Sequence, residues 1–302
     1  GQTLVNDRFA QALATITTVE TVDIGAPTLT RGFAYHWARV TRALRCMLLL
    51  FFQTSDSDRY VFSLDSGFGL VYHFLILKLV ERRRQKFWLY HHSYTYIENK
   101  SKLMEKITKI GSAYACHTFL CNDMKKKFQE TYPGQYKSKV VPNMAYFEMP
   151  MNKADQRRDR IMTISLLSHL SEEKGLDIFL ELVRKAIDSG LALRGLLAGP
   201  FTSPAVEARF RPLIDELGSH LHFLGPVYDE AKERFWAEAD VFVFPTRFPV
   251  ETQPLVLCEA ASQGLPIITY GRGCICDDWR ASAYIIGRDE PFVEPALDIL
   301  RA

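Results

Sequence analysis

Two glutamates, Glu251 and Glu259, stand eight positions apart in the stretch PTRFPVETQPLVLCEAASQGLP, residues 245–266. An apolar run ends at Pro245, a polar loop carries Glu251, and the pattern predicts a helix that begins near Pro254 and carries Glu259. Eight positions are slightly more than two helical turns, so a carboxylate just ahead of the helix and one upon it can border one pocket. Pro254 suits a first helical position, having no amide to leave unpaired. The amides of Leu255 and Val256 are then free to meet an anion. A carboxylate beside a phosphate is repelled, so the chemistry open to Glu259 is to accept hydrogen bonds from a neutral diol such as ribose.

A second cluster is SHLSEEKG, residues 168–175, after an apolar run ending at Leu167. Ser171 is placed to cap the following helix. Lys174 lies at the helix start, where an ammonium and the positive end of the helix dipole together favour a diphosphate. In the first half, a strand over 87–90 runs into His91 and His92. Two other patterns imitate sites. Asp56-Ser57-Asp58 has the form of a metal-binding Asp-x-Asp, but it sits in the polar segment SDSDR and reads as a solvated turn. Gly67-Phe68-Gly69 begins like a dinucleotide fingerprint, yet Tyr72 occupies the third glycine position, which argues against a nicotinamide enzyme. The six cysteines, Cys46, Cys116, Cys121, Cys258, Cys274 and Cys276, lack paired zinc spacing and read as those of a reduced protein.

The elements that must position these residues follow from the apolar pattern. Strands are expected over 161–167, 191–198, 221–224, 241–244 and 266–270, and helices over 176–187, 206–217 and 231–239. Strands apolar on both faces and separated by helices imply a parallel sheet covered on both sides. The first half repeats the rhythm more faintly, with strands over 19–24, 60–64, 87–91, 116–121 and 139–141 and helices over 4–13, 37–51, 70–80 and 100–110. It opens in a helix, which predicts a first strand ahead of Gly1. Residues 142–160 read as a linker, placing domains at 1–148 and 158–302. A chain of 302 residues suits two domains.

The composition, 47% hydrophobic and 24% charged, is that of an ordinary globular protein. The apolar runs 46–52 and 68–77 are too short to span a membrane, and no signal peptide is expected. Charge is uneven: residues 1–150 hold 20 Lys and Arg against 12 Asp and Glu, the remainder 17 against 23. That asymmetry suggests domains with different partners. Nucleic acid is not expected as one, because the basic runs lack an interleaved aromatic platform.

Glu251 and Glu259, followed by Gly264-Leu265-Pro266, resemble the Glu-x7-Glu motif of the retaining glycosyltransferases of family 4. The resemblance implies an α/β fold of the GT-B type, two Rossmann-like domains facing an interdomain cleft, with acceptor on the first and donor on the second. It implies that Glu251 contacts the donor sugar and Glu259 the nucleotide ribose, while Thr252, Gln253, Leu255 and Val256 hold sugar and phosphate. The segment 168–175 is similar to the family's Gly-Arg-Leu-x3-Lys-Gly phosphate loop, Lys174 and Gly175 matching. Ser168 and His169 stand in place of Gly and Arg; histidine lacks the bidentate fork of arginine, so diphosphate binding leans on Lys174.

LHFLGPV, 221–227, resembles the family's Phe-x-Gly-x-Val, placing the backbone of Val227 near the base. Gly271 to Asp277 lies where the family has small residues near the donor. His91, with His92 second, resembles the family's strand-end histidine near the transferred sugar, and Gly1-Gln2 its glycine-rich loop near phosphate or acceptor.

The implied function is metal-independent, hexosyltransferase-type transfer from a nucleotide-diphosphate sugar to a glycan or lipid-linked acceptor in polysaccharide biosynthesis, without a cofactor. A cytoplasmic location is expected, with peripheral attachment to an anionic membrane through Arg82, Arg83 and Arg84 and the lysines of 100–109 and 125–127. A nucleotide-sugar epimerase or phosphorylase on the same fold, and a non-catalytic nucleotide-sugar-binding module, are the alternatives.

Overall fold

The computed structural model describes residues 2–25, 32–52, 55, 58–148, 161–249, 251–280 and 282–302. Gly1, Asp56, Ser57 and most of the expected linker lie outside these residues, and the side chain of Gln2 is likewise not described. The chain divides into two units, Gly1–Pro142 and Asn143–Ala302. The division falls ahead of the expected boundary at 148 because the 3-10 turn Asn143–Tyr146 is fastened to the second unit. The Asn143 amide donates to Gln253 Oε1, and Asn143 Nδ2 donates to the Gln253 carbonyl at 3.0 Å.

The first unit runs α1 (Gln2–Ala14), α2 (Phe33–Phe52), β1 (Tyr60–Leu64), α3 (Gly69–Arg82), β2 (Phe87–His91), α4 (Thr95–Glu98), α5 (Lys102–Thr108), β3 (Ala115–Phe119), α6 (Asn122–Thr131) and β4 (Lys137–Val140). Its four strands are parallel in the order β1-β2-β3-β4. Phe87, Leu89 and Phe119 are wholly buried, as strands covered on both faces require. Ser101 starts α5 by accepting from the Met104 amide. The strand expected over 19–24 does not form. Among the described residues they pair with no strand, Val22 is 40% exposed, and an extended segment without a ladder gains nothing for its backbone groups. Helix α6 was not expected, since only Met124 and Phe128 of NDMKKKFQET are buried, one turn apart.

The second unit runs β5 (Met162–Leu167), α7 (Leu176–Asp188), β6 (Leu193–Ala198), α8 (Pro204–Glu216), β7 (Leu221–Phe223), α9 (Asp229–Glu238), β8 (Val241–Phe244), α10 (Leu255–Ser262), β9 (Ile267–Tyr270), α11 (Ile275–Asp278), β10 (Tyr284–Ile286) and α12 (Val293–Arg301). The strands are parallel in the order β10-β9-β8-β5-β6-β7. This is the doubly wound Rossmann order, in which the winding reverses between β5 and β8. Ligands of such sheets bind outside the carboxyl ends of the strands at that reversal. The loops that leave β5 and β8 are 168–175 and 245–254, the two segments singled out by their chemistry. Among the described residues, no helix is long and apolar enough to cross a membrane.

Candidate functional site

The loop after β5 leaves the sheet under tight constraint. Gly199, at φ 127°, lets the chain end of β6 lie against Ser168: a Cβ there would meet the Ser168 carbonyl oxygen at 1.7 Å. The Leu170 amide donates to the Pro200 carbonyl at 2.8 Å, carrying the parallel pairing past the strands. Ser171 does not cap α7 as expected. Its hydroxyl accepts from the Lys174 amide at 3.2 Å and shapes a turn instead, while Gly175 occupies the N-cap position in the left-handed region at φ 80°. The reason for glycine is a close approach: a Cβ at Gly175 would lie 2.3 Å from the Pro245 carbonyl oxygen. The Lys174-Gly175 pair is therefore a lysine held by a contact only glycine permits.

The loop after β8 supplies the other side of that contact. Arg247 donates its amide to the Glu173 carbonyl at 2.7 Å, and its guanidinium reaches the Glu172 carbonyl and both Asp177 oxygens at 2.8 Å. Glu251, 8% exposed, takes an ion pair from Lys174 Nζ and a hydrogen bond from the Thr246 hydroxyl at 3.0 Å, both on Oε2. The Lys174 ammonium also lies 4.4 Å from the ring centre of Phe248, a cation–π contact. Gly273, at φ 51°, brings the segment after β9 flat onto this loop, since a Cβ would lie 2.0 Å from the Glu251 carbonyl oxygen. The Cys274 amide donates to the Thr252 carbonyl at 3.0 Å.

Helix α10 begins at Leu255 with Pro254 as N-cap. Among the described residues, the amides of Leu255 and Val256 donate to no backbone carbonyl, leaving two donors at the positive end of the helix. Glu259 lies on this helix, 9% exposed. Lys232 of α9 donates to its Oε1 at 2.6 Å, whereas Oε2 is buried without a hydrogen-bond partner among the described residues. A buried carboxylate oxygen left open is costly in the unliganded chain and matched to a hydroxyl donor.

Of the residues expected at the site, Lys174, Gly175, Thr252 and Glu251 are brought together directly, and Leu255, Val256 and Glu259 share the next helix. His169 is exposed in the loop after β5. Gln253 is 2% exposed and spends its side chain on Asn143. Val227 is buried in the core, leaving its backbone as the group it can offer. Lys232, Arg247 and Thr246 were not anticipated; Arg247 alone carried a signal, as a cation between a strand end and Glu251.

The first unit corrects the expectation for His91. That residue has no exposed surface: Nδ1 bonds the Tyr96 hydroxyl at 3.0 Å, Nε2 bonds His117 Nδ1 at 2.9 Å, and the ring stacks on Phe119 at 4.6 Å. It is part of the core rather than of a surface that meets a sugar. His92 is partly exposed, its Nε2 buried and without a hydrogen-bond partner among the described residues, and it is the strand-end side chain left to such a role.

Burial pushes His92 and His117 from their ordinary 6.5 down to about 4, and desolvation together with the His117 charge holds His91 well below its usual range. The unfolded chain thus takes up protons near 6.5 that the folded unit accepts only near 4. Stability of this unit is fully present above 6.5 and falls as pH drops from 6.5 towards 4. Unfolding followed through Trp88 should show that slope, and His117→Phe should flatten it; an unchanged slope would contradict the assignment.

Among the described residues, no group of three or more His, Cys, Asp or Glu side chains converges to hold a metal ion.

The architecture, α/β with two parallel-sheet units, is that of the GT-B glycosyltransferases. Residues 158–300, somewhat less than half of the chain, match the family model described as Glycosyl transferases group 1. Three solved structures illustrate the likeness. HepE from Anabaena in complex with UDP-glucose is 14% identical, covering 86% of this chain and 71% of its own, with a TM-score of 0.61. TarM is 14% identical over 86% of this chain, with a TM-score of 0.64, and the chain spans only 51% of its length. WaaG, a glycosyltransferase involved in lipopolysaccharide biosynthesis, is 16% identical, covering 100% and 86%, with a TM-score of 0.59. At these identities the likeness is one of fold. No curated protein matches the sequence.

Proposed function

We propose that the chain transfers a sugar, with retention, from a nucleotide-diphosphate sugar bound by the second unit to a glycan or lipid-linked acceptor bound by the first. The observation that carries this reading is the pairing, at the sheet reversal, of Lys174 with Glu251 beside the open amides of α10 and the half-satisfied Glu259. The donor's diphosphate takes a hydrogen bond from Lys174 and from the Leu255 and Val256 amides. Glu251, released from part of its pairing, accepts from sugar hydroxyls. Glu259 Oε2 accepts from a ribose hydroxyl. Charge growing on the departing nucleotide diphosphate meets donors already in place, so no cation is required. His92 is the candidate side chain beside the transferred sugar. The UDP-glucose bound by HepE and the part WaaG plays in lipopolysaccharide assembly support a UDP-sugar and a polysaccharide or lipid-linked product.

Turnover of UDP-glucose, UDP-N-acetylglucosamine and GDP-mannose with a panel of acceptors tests this. A glycosylated product should form, and at an unchanged rate in chelator. Loss in chelator restored by manganese would contradict metal independence and return attention to Asp56-Ser57-Asp58. An isomerised donor would point to the epimerase reading, and nucleotide binding without product to the non-catalytic one.

A row along α2 supports peripheral membrane attachment as part of the same reading. Phe33, Trp37, Val40, Leu44, Leu48 and Phe51 recur at helical spacing and are all exposed, Phe33 by 85%. The row ends where Arg83 Nη2 donates to the Phe51 carbonyl at 2.7 Å, which sets exposed Arg82, Arg83 and Arg84 beside it. Apolar side chains rimmed by cations suit an anionic lipid surface. Vesicles with anionic lipid should bind the chain at low salt, and reversing the three arginines to Glu should abolish binding; no binding at low salt would remove this claim.

A further inference from the structure

The segment Gly67-Phe68-Gly69, which fails as a dinucleotide fingerprint, lines an open cavity of about 200 Å³ at the carboxyl end of β1. Ser66, with Tyr35, His36 and Arg39 of α2 and Tyr72 of α3, forms the rest of its wall. Arg39 is largely buried, its side chain 12% exposed, between the rings of Tyr72 at 5.1 Å and Tyr35 at 6.0 Å. Its guanidinium is paired with Asp65 through Nη2, and its buried Nε has no hydrogen-bond partner among the described residues. Glycine at 69 is what lets Asp65 lie across the start of α3, since a Cβ there would meet Asp65 Cβ at 2.4 Å. Phe68 stands at the rim, 78% exposed.

We propose that this cavity is a subsite for one neutral pyranose ring. Asp65 neutralises Arg39, the cation on the wall, so the cavity offers an anion no net positive charge, and a wholly apolar ligand would strip water from the Arg39–Asp65 pair and give nothing in return. A pyranose meets both demands. Its axial C–H face lies on an aromatic ring, and its hydroxyls accept from the Arg39 guanidinium, which Asp65 holds in place. The cavity also adjoins the end of the parallel sheet where His92 follows β2, Leu64 being in register with His91. The sugar would therefore be the terminal ring of the acceptor, a role that rests on the transferase reading; the binding itself does not.

Saturation-transfer NMR of the full chain with methyl α-D-glucopyranoside, galactopyranoside and mannopyranoside, without nucleotide, tests the subsite. At least one glycoside should bind, and Phe68→Ala and Asp65→Asn should each weaken it by about tenfold. Affinity for UDP or GDP should stay unchanged in both variants. Phe68 is exposed, so its variant remains informative even if Asp65→Asn unfolds the unit. Absence of glycoside binding, binding that survives Phe68→Ala, or displacement by inorganic phosphate would overturn the proposal. Glycoside binding with no nucleotide binding in the unaltered chain would instead overturn the transferase reading and leave the subsite standing.

Discussion

Lys174→Ala is expected to lower turnover by about two to three orders of magnitude, the usual cost of removing a prearranged donor from a developing negative charge. The same change leaves Glu251 buried with Thr246 as its remaining partner, and an uncompensated buried carboxylate costs about 3 kcal/mol of stability. The two effects separate in a double variant. Lys174→Ala with Glu251→Gln removes both charges, so the melting temperature should recover while turnover does not. Turnover of the double variant equal to that of Glu251→Gln alone would mean that Lys174 serves the fold and not the donor. Glu251→Gln alone should depress turnover with little effect on binding of the free nucleotide, since its proposed partner is the sugar.

Glu259→Ala is expected to weaken binding of the free nucleotide diphosphate by about 1 to 3 kcal/mol, the cost of leaving a buried ribose hydroxyl without its acceptor. The open Oε2 is the observation on which this expectation rests. Lys232 holds Oε1 and so aims Oε2, which makes Lys232→Met a milder variant acting through orientation. Calorimetric titration with UDP and GDP reads both, and an affinity unchanged in Glu259→Ala would remove the ribose assignment.

What the sequence disclosed and what it hid divide along physical lines. Lys174, Gly175, Glu251 and Glu259 were legible because each sits at a strand end or on the helix that follows, where local pattern fixes position. Lys232 and the role of Arg247 went unread because their partners are distant in the chain, Glu259 for the first, Asp177 and Glu172 for the second, although Arg247 carried a signal in its place beside Glu251. His91 misled for a related reason. A strand-end histidine reads as facing outward, and only the neighbouring strand, with His117 and Phe119, turns it into core. The segment 19–24 had the composition of a strand and, among the described residues, no strand to pair with. β10 and α12 went unread because a three-residue strand carries too little pattern to be told from a turn, and the helix after it had no expected strand to cover.

Hydrogen exchange of the full chain with and without saturating UDP or GDP is the most direct test of where the nucleotide lies. The site described here predicts slowed exchange of the amides of residues 169–175 and of Leu255 and Val256, at the carboxyl ends of β5 and β8. A nucleotide that saturates the chain while those amides exchange at their free rate, with protection confined to the first unit, would contradict it.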